Sequence, residues 1–215
     1  YALFCLENNR LSMVPCPHGS VSIAYLYSRL YIVSASGIEA LVGNTVRMLV
    51  PFGNLIKSKI VKLLPFNGKI MIVSSTEGLF ILDNNRIYPF RHPFNTVVKS
   101  NQLFSADINS KRLAIGTVQS GVYIYRFDNN SIEHLSIENG LQNKTVLSMK
   151  FDQQDNLWLG LDNGIDCIHL NSSYFFLNSS RSAIGAGYSS CLYNGKLYFG
   201  TNQGVYKAVA AFTPN

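Results

Sequence analysis

The stretch Asn156–Ile168, NLWLGLDNGIDCI, combines a short apolar run, a few polar residues, a glycine and a second apolar run. Four further copies of this arrangement are RLYIVSASGIEAL (29–41), KIMIVSSTEGLFIL (69–82), RLAIGTVQSGVYIY (112–125) and KLYFGTNQGVYKA (196–208). Their shared glycines are spaced by 41, 43, 43 and 40 residues, at Gly37, Gly78, Gly121, Gly164 and Gly204. A period of this length indicates a repeat protein in which each repeat is one small supersecondary unit.

Each repeat predicts four short strands. In the fourth repeat the strands are expected at Val146–Phe151, Asn156–Leu161, Ile165–Leu170 and near Ser173–Leu177. The strand segments are rich in β-branched and aromatic residues, and turn residues separate them. The repeated glycine lies between strands two and three, where a tight reversal favours a positive φ. We therefore predict an all-β fold, a β-propeller of about five four-stranded antiparallel blades.

The repeat also predicts the blade boundaries. Residues 3–11 (LFCLENNRL) align with residues 79–87 (LFILDNNRI), so the chain is expected to open on strands three and four of a blade. We interpret the chain as an arc of a larger propeller, and a closed five-bladed ring is the alternative. The whole chain, 1–215, is assigned to propeller repeats: 1–15 end a preceding blade, and successive blades cover about 20–51, 59–90, 101–136, 145–177 and 187–208, the last incomplete.

Composition and charge exclude several classes of protein. Hydrophobic residues make up 47% of the 215 residues and charged residues 14%, which is typical of a globular chain. The net charge of +6 comes from scattered Lys and Arg without a basic block, so no direct nucleic-acid contact is expected. No apolar run reaches the roughly 18 residues of a membrane helix. The chain begins at Tyr1 without a leader, so we expect any targeting segment to have been removed or to lie outside this chain.

No motif for catalysis, a metal or a cofactor is present in the sequence. The four histidines lack the close spacing of metal ligands, and the four cysteines form no C-x-x-C pair. We expect the cysteines to be buried free thiols, although Cys5 and Cys16 are close enough in sequence to meet across one hairpin. Glu77 and Asp162 occupy equivalent turns but lie two blades apart, so they do not form the carboxylate pair of a glycosidase. We predict that this chain is not an enzyme and binds no cofactor.

Residues 138–170, ENGLQNKTVLSMKFDQQDNLWLGLDNGIDCIHL, resemble a known repeat. The pattern is similar to the two-component regulator propeller repeat. The positions that carry the resemblance are Asn139, Gly140, Leu141, Asn143, Val146, Asp152, Leu157, Trp158, Leu159, Gly160, Gly164 and Ile165. The family usually has Thr after the Leu-Trp-Leu-Gly glycine; Leu161 departs from this, whereas Thr117 and Thr201 follow it in two other repeats. The first two repeats keep only the apolar run and the glycine.

The resemblance implies a function. Proteins with such repeats are Bacteroidetes sensors, hybrid two-component or related membrane-bound transcriptional regulators. In them the propeller lies outside the cytoplasmic membrane and is followed by further domains and an output domain. The ligands are mostly glycans or their breakdown products. From the resemblance we expect a periplasmic ligand-sensing portion whose partners are an oligosaccharide and the remaining blades and output domains of the parent protein.

The loops predict where a ligand would bind. In a propeller, the connections from strand four to the next strand one open at the same end as the turns between strands two and three. The first set carries basic side chains and the second set carries amide or acidic side chains, and together they form a candidate site for an acidic or hydroxyl-rich ligand. The candidate ligand-binding residues are Lys57, Arg91, His92, Lys144, Arg181, Gln119, Asn163 and Gln203, with His18, Lys59, Glu77, Asp162 and Asn202 on the same loops. The alternative is that these are ordinary solvated loop residues.

Two other interpretations concern apolar side chains. A propeller that serves only as a protein-docking scaffold would expose apolar residues at this end, such as Phe52, Leu55 and Phe94. Trp158 and its equivalents on strand two are expected in the core between blades, although a tryptophan is also able to stack on a sugar.

A third alternative function, a polysaccharide-active propeller enzyme, is the least favoured of those considered.

Overall fold

The computed structural model describes residues 2–19, 22–171, 186–194 and 196–207. The chain divides into two compact units, residues 1–171 and 172–215. Apart from one two-turn helix and one short 3-10 turn, the regular structure of the described residues consists of antiparallel strands. The predicted all-β fold with four-stranded antiparallel sheets is confirmed.

The first unit contains a hairpin followed by four sheets, which we call blades one to four. Within each sheet the strands are paired in sequence order. The strands are β1 Ala2–Glu7 and β2 Arg10–Pro15 (hairpin); β3 Ser22–Leu26, β4 Arg29–Val33, β5 Gly37–Val42 and β6 Thr45–Pro51 (blade one); β7 Ile60–Phe66, β8 Lys69–Ser74, β9 Leu79–Asp83 and β10 Arg86–Pro89 (blade two); β11 Leu103–Ile108, β12 Arg112–Thr117, β13 Val122–Arg126 and β14 Ile132–Leu135 (blade three); and β15 Val146–Phe151, β16 Leu157–Leu161 and β17 Ile165–Ile168 (blade four).

Two short helical segments lie in the connections after blades two and three, α1 at Pro93–Lys99 and a 3-10 turn at Ile137–Asn139. The strand expected near Ser173–Leu177 falls outside the described residues. The second unit contains one described sheet, blade five, with β18 Gly187–Tyr193, β19 Lys196–Thr201 and β20 Gly204–Lys207.

The blades of the first unit pack face to face through three apolar clusters. Side chains alternate across β8: Ile70 and Ile72 belong to the cluster shared with blade one, whereas Met71 and Val73 belong to the cluster shared with blade three. All four are nearly or completely buried. Burying one such side chain contributes about 1.5–3 kcal/mol. Phe94 and Val98 of α1 complete the cluster between blades two and three.

The turns follow the predicted chemistry with one correction. Gly78, Gly121, Gly164 and Gly204 have positive φ, and so do both asparagines of the turns Asn8-Asn9 and Asn84-Asn85. Gly37 does not adopt a positive φ, so the conformational reason predicted for it is wrong. Its reason is steric, because a Cβ at Gly37 would lie 2.8 Å from Met48 Sδ and 2.9 Å from Pro51 Cα, and closer still to the carbonyl oxygen of Val50.

A hydroxyl at the end of strand two ties this turn together in several blades. Thr117 Oγ1 donates to the carbonyl of Gly121 (2.9 Å) and accepts from the N–H of Ser120 (2.8 Å). Ser74 makes the equivalent bonds in blade two, and Thr201 makes them in blade five. Leu161 occupies this position in blade four and packs into the apolar cluster instead. The hydroxyl therefore explains physically why Thr or Ser recurs there.

The cysteines differ in part from expectation. All four are free, and Cys16 is buried. Cys5 and Cys191 are exposed, so the expectation of burial is wrong for these two. Cys5 pairs with Ser12 across the first hairpin, and this register does not place it opposite Cys16.

We predict that Thr117→Val destabilises the protein by about 1–3 kcal/mol, because it leaves the Ser120 N–H without its partner in a buried turn and removes one of the two donors to the Gly121 carbonyl, which keeps the backbone N–H of residue 117. Urea unfolding of the first unit measures the change. Thr45→Val is the matched control, since the Thr45 hydroxyl donates to Val42 in an exposed turn, and its effect should stay within about 0.5 kcal/mol. Equal losses in the two variants would show that the buried hydroxyl has no special role.

Candidate functional site

Five of the predicted ligand-binding residues lie on exposed loops of the first unit. Lys57 and Arg91 lie in the connections that follow blades one and two, and Lys144 precedes blade four. Gln119 and Asn163 lie in the turns between strands two and three of blades three and four. Among the described residues, the side chains of these five make no hydrogen bond or ion pair. Their donors are therefore available to a ligand.

His92 and His18, the two histidines on the predicted loops, contact other groups of the protein. His92 caps α1 by accepting a hydrogen bond from the Phe94 N–H through Nδ1 (3.1 Å). Its Nε2 lies 3.0 Å from the Tyr125 hydroxyl, and its ring stacks on Phe90. His92 thus contributes to the packing between blades two and three. His18 Nδ1 lies 2.7 Å from Oε1 of Glu39, a carboxylate that is completely buried.

The acidic turn residues differ from one another. The Glu77 carboxylate accepts hydrogen bonds from the Lys57 N–H (3.1 Å) and from the N–H and the hydroxyl of Ser58. Burial alone would raise the pKa of Glu77, but these hydrogen bonds outweigh burial and hold the pKa below its usual value. Glu77 therefore fixes the connection between blades one and two. Asp162 is exposed and contributes only its backbone N–H, which donates to the Thr145 carbonyl.

Two predicted residues do not belong to the described part of the first unit. Arg181 lies outside the described residues. Gln203 is exposed in blade five of the second unit, where its N–H donates to the Thr201 hydroxyl.

The apolar side chains that a docking scaffold would expose are largely internal. Phe52 and Phe94 are buried in the clusters between blades, and only Leu55 is exposed. The exposed apolar end that this alternative requires is therefore absent at two of its three predicted positions.

Trp158 corrects another expectation. It is not buried in the core: 47% of the residue is exposed. Leu157, Leu159 and Leu161 of β16 face the cluster with blade three, so Trp158 lies on the other face of the sheet. In blades two and three, the following blade covers the equivalent face.

The indole of Trp158 has a specific partner. Its Nε1 donates to Asp152 Oδ2 (2.9 Å), and Asp152 also accepts from the N–H groups of Gln154 and Asn156. The Trp158 hydrogen bond, assisted by those from Asn156 and Gln154, lowers the pKa of Asp152 to about 2. The hydrogen bond between Trp158 and Asp152 therefore links β16 to the turn that precedes it.

A cavity that the sequence analysis missed lies between the first strands of the blades. Its volume is about 530 Å³, and it is lined by residues of β3, β7, β11 and β15. We call it the inner-strand cavity. Lys62, Asp107 and Lys150 are its charged lining residues. Their spacing in sequence is close to the repeat length and each lies on a first strand, so comparison of equivalent positions across repeats would have found them.

The three charged residues form one cluster. Asp107 Oδ2 accepts from the Phe151 N–H (2.8 Å), and its Oδ1 accepts from Lys150 Nζ (3.3 Å). Lys62 Nζ lies 3.9 Å from the same oxygen. The Asp107 side chain is 5% exposed, whereas the side chains of Lys62 and Lys150 are 43% and 75% exposed. One buried carboxylate thus faces two accessible ammonium groups.

Two other features, a metal site and a membrane-spanning helix, are absent from the described part of the chain. The described residues contain no group of three or more His, Cys, Asp or Glu side chains placed to hold a metal ion. Nor does any helix within the described ranges have the length and apolarity to cross a membrane.

Solved structures share this architecture. The β-propeller domain of Cps50 (Swd1) from Myceliophteria thermophila superimposes with a TM-score of 0.55 at 14% identity, over 74% of this chain and 58% of its own. The chain has the β-propeller fold. This propeller also matches two structures of the extracellular domain of BT4673 from B. thetaiotaomicron, described in one as a one-component and in the other as a hybrid two-component system.

The two BT4673 structures match at 21% identity with TM-scores of 0.61 and 0.60, over 97% and 96% of this propeller. One of the two descriptions names a hybrid two-component system, the kind of protein named by the repeat that this sequence resembles. This propeller spans 30% of the length of each of those chains. No family model and no curated protein matches the sequence.

We predict that Trp158→Phe raises the pKa of Asp152 from about 2 towards its usual value of 3.8, because the variant removes the indole N–H donor. A depressed pKa stabilises the fold above the unfolded-state pKa, and this contribution is lost as the pH falls from about 4 to about 2. The stabilisation is therefore complete at neutral pH in the wild type and smaller in Trp158→Phe. NMR titration of the side-chain carboxyl carbon measures the pKa.

Asp128 is the internal control for this titration. Its pKa is lowered by a different partner, Arg126, and should not change in Trp158→Phe. An unchanged Asp152 midpoint in the variant would contradict the assignment of its pKa shift to the indole.

Proposed function

We propose that this propeller is the ligand-sensing portion of an extracytoplasmic bacterial signalling protein, and that its ligand is a glycan or a glycan breakdown product. The observation that carries the proposal is the set of exposed polar side chains, on the loops of successive blades, that the fold itself does not use. They are Lys57, Arg91, Lys144, Gln119 and Asn163. The likeness to the extracellular domain of BT4673 supports a sensing role. The cellular location that corresponds to this proposed role is the periplasm.

The proposed partners follow from the same role. The remaining blades and a kinase or DNA-binding output domain of the parent protein would receive the signal from this propeller. Arg181 and Gln203 complete the proposed set of ligand contacts, together with whatever loops the other blades contribute. His92 belongs to this set only through its place in the same connection as Arg91, since both of its ring nitrogens have partners within the protein.

Binding is favoured over catalysis and over protein docking. Glu77, one of the two acidic turn residues, is committed to a structural connection, which leaves no opposed pair of free carboxylates at this end in the described residues. Phe52 and Phe94 are buried and present no apolar surface to a protein partner. Loop cations and amides instead suit a ligand rich in hydroxyl or acidic groups.

We predict that the parent sensor domain binds acidic oligosaccharides more tightly than matched neutral ones, and that Arg91→Ala weakens acidic binding about tenfold. A charge-assisted hydrogen bond contributes about 1.5–3 kcal/mol, and a tenfold change corresponds to about 1.4 kcal/mol. The affinity should fall with added salt, since exposed charges are screened over about 10 Å at 0.1 M. Isothermal titration calorimetry measures both effects.

Arg47→Ala is the matched control for this experiment. Arg47 is exposed on β6 and has the same charge, but it lies on a strand rather than in a connecting loop. Its replacement should leave the affinity unchanged. Equal affinity for acidic and neutral oligosaccharides, insensitive to Arg91→Ala and to salt, would reject the loop site.

A further inference from the structure

The inner-strand cavity has a local charge imbalance. Asp107 is fixed by the Phe151 N–H, and Lys150 alone would neutralise it. Lys62 places a second ammonium group 3.9 Å from the same carboxylate oxygen. The cluster therefore carries a net positive charge, and the two lysines repel each other across one acceptor. An additional anion between the lysines would offset the net charge and reduce this repulsion, which solvent already weakens at the exposed ammonium groups.

The lysines also have unused hydrogen-bond donors. An ammonium group has three N–H donors, and Lys150 gives one of them to Asp107. Lys62 lies beyond hydrogen-bonding distance of Asp107, so all three of its donors remain. The partial exposure of both side chains leaves these donors accessible to a molecule that enters the cavity.

The size and lining of the cavity indicate the kind of molecule. A volume of about 530 Å³ lies in the range of sites for small organic ligands, which usually combine an apolar lining with a few polar groups. Here Val61, Leu64 and Pro65 are part of the apolar lining. Asp107 keeps acceptor capacity that suits a hydroxyl group, and the lysines suit a carboxylate. A sugar acid carries both groups on a compact ring.

We propose that the inner-strand cavity binds a monosaccharide carboxylate, with Lys62 and Lys150 bound to its carboxylate and Asp107 accepting from one of its hydroxyls. This site is separate from the loop site, and its role in sensing rests on the function proposed above. The two sites differ in what they recognise. The loops contact the outer groups of an oligosaccharide, whereas the cavity selects a single acidic ring.

The test uses glucuronate, glucose and inorganic phosphate as probes of the full chain, with binding measured by calorimetry and by NMR line broadening of the probe. We expect glucuronate to bind at least about ten times more tightly than glucose. Lys62→Met and Lys150→Met should each weaken glucuronate binding about tenfold or more, since each removes a charged hydrogen-bond donor. Met keeps most of the side-chain stem, and urea unfolding verifies that both variants remain folded.

A matched control separates this site from other exposed lysines. Lys99→Met makes the same change on exposed Lys99 of α1, outside the cavity, and should leave glucuronate binding unchanged. Glucuronate binding that persists in both Lys62→Met and Lys150→Met would overturn the proposal.

The remaining outcomes are decisive as well. Inorganic phosphate that binds as tightly as glucuronate would reduce the cavity to a general anion site and overturn the assignment to a sugar acid. Oligosaccharide binding that depends on Arg91, without any binding of glucuronate, would overturn the cavity proposal and leave the proposed sensing function standing. Glucuronate binding lost in the lysine variants, without any oligosaccharide binding, would support the cavity and reject the loop site.

Discussion

The burial of both faces of the middle sheets, blades two and three, is the constraint on which the first unit depends. A four-stranded sheet with two apolar faces is not stable alone in water, and it needs a neighbour on each side. Blade two shows the result, since Ile72 packs towards blade one while Met71, the preceding residue, packs towards blade three. Strand two therefore has no solvent-facing side in the middle blades. The polar residues of the two candidate sites accordingly lie in the turns, in the connections between blades and on the innermost strands.

This division of the blade explains where chemistry is possible. The turns between strands two and three are shaped by hydrogen bonds that their own residues make, as with Thr117 in blade three. The connections between blades are joined by backbone bonds, such as those from Ser75 to Lys59 and from Leu103 to Ser75. Side chains on these loops are held in place by a rigid scaffold while their own polar groups stay available. The first strands, which contact one another across blades, provide a second polar surface around the inner-strand cavity.

Local chemistry made most of the fold predictable from the sequence. Asparagine pairs and glycines with positive φ mark the turns, and the spacing of the glycines indicates the repeat. The reason predicted for Gly37 was wrong. Its close neighbours Met48 and Pro51 belong to the paired strand β6, and the conformational preferences of turn residues do not describe contacts of this kind. The exposure of Trp158 was missed for a related reason. In blades two and three, burial at this position is supplied by the following blade, so no property of the residue itself determines it.

The candidate sites depended even more on distant contacts. Asp107 and Lys150 are 43 residues apart, and their contact exists only because first strands of adjacent blades lie side by side. The loop residues were predicted from topology alone, and topology does not reveal that His92 and Glu77 are held by neighbours within the protein. Partners of this kind decide whether a polar residue is available or already satisfied.

The packing of each blade against its sequence neighbours has a consequence for how such proteins change over evolutionary time. Every apolar cluster in the first unit joins two consecutive blades, so the interactions of one interface do not extend to the next but one. Duplication or loss of one blade-length segment of the gene would add or remove one interface of the same type and leave the others intact. The divergence between the first two repeats and the fourth fits this independence, since each interface needs to match only its own two partners. Repeats are then free to accumulate different loop residues while the stacking of sheets is retained.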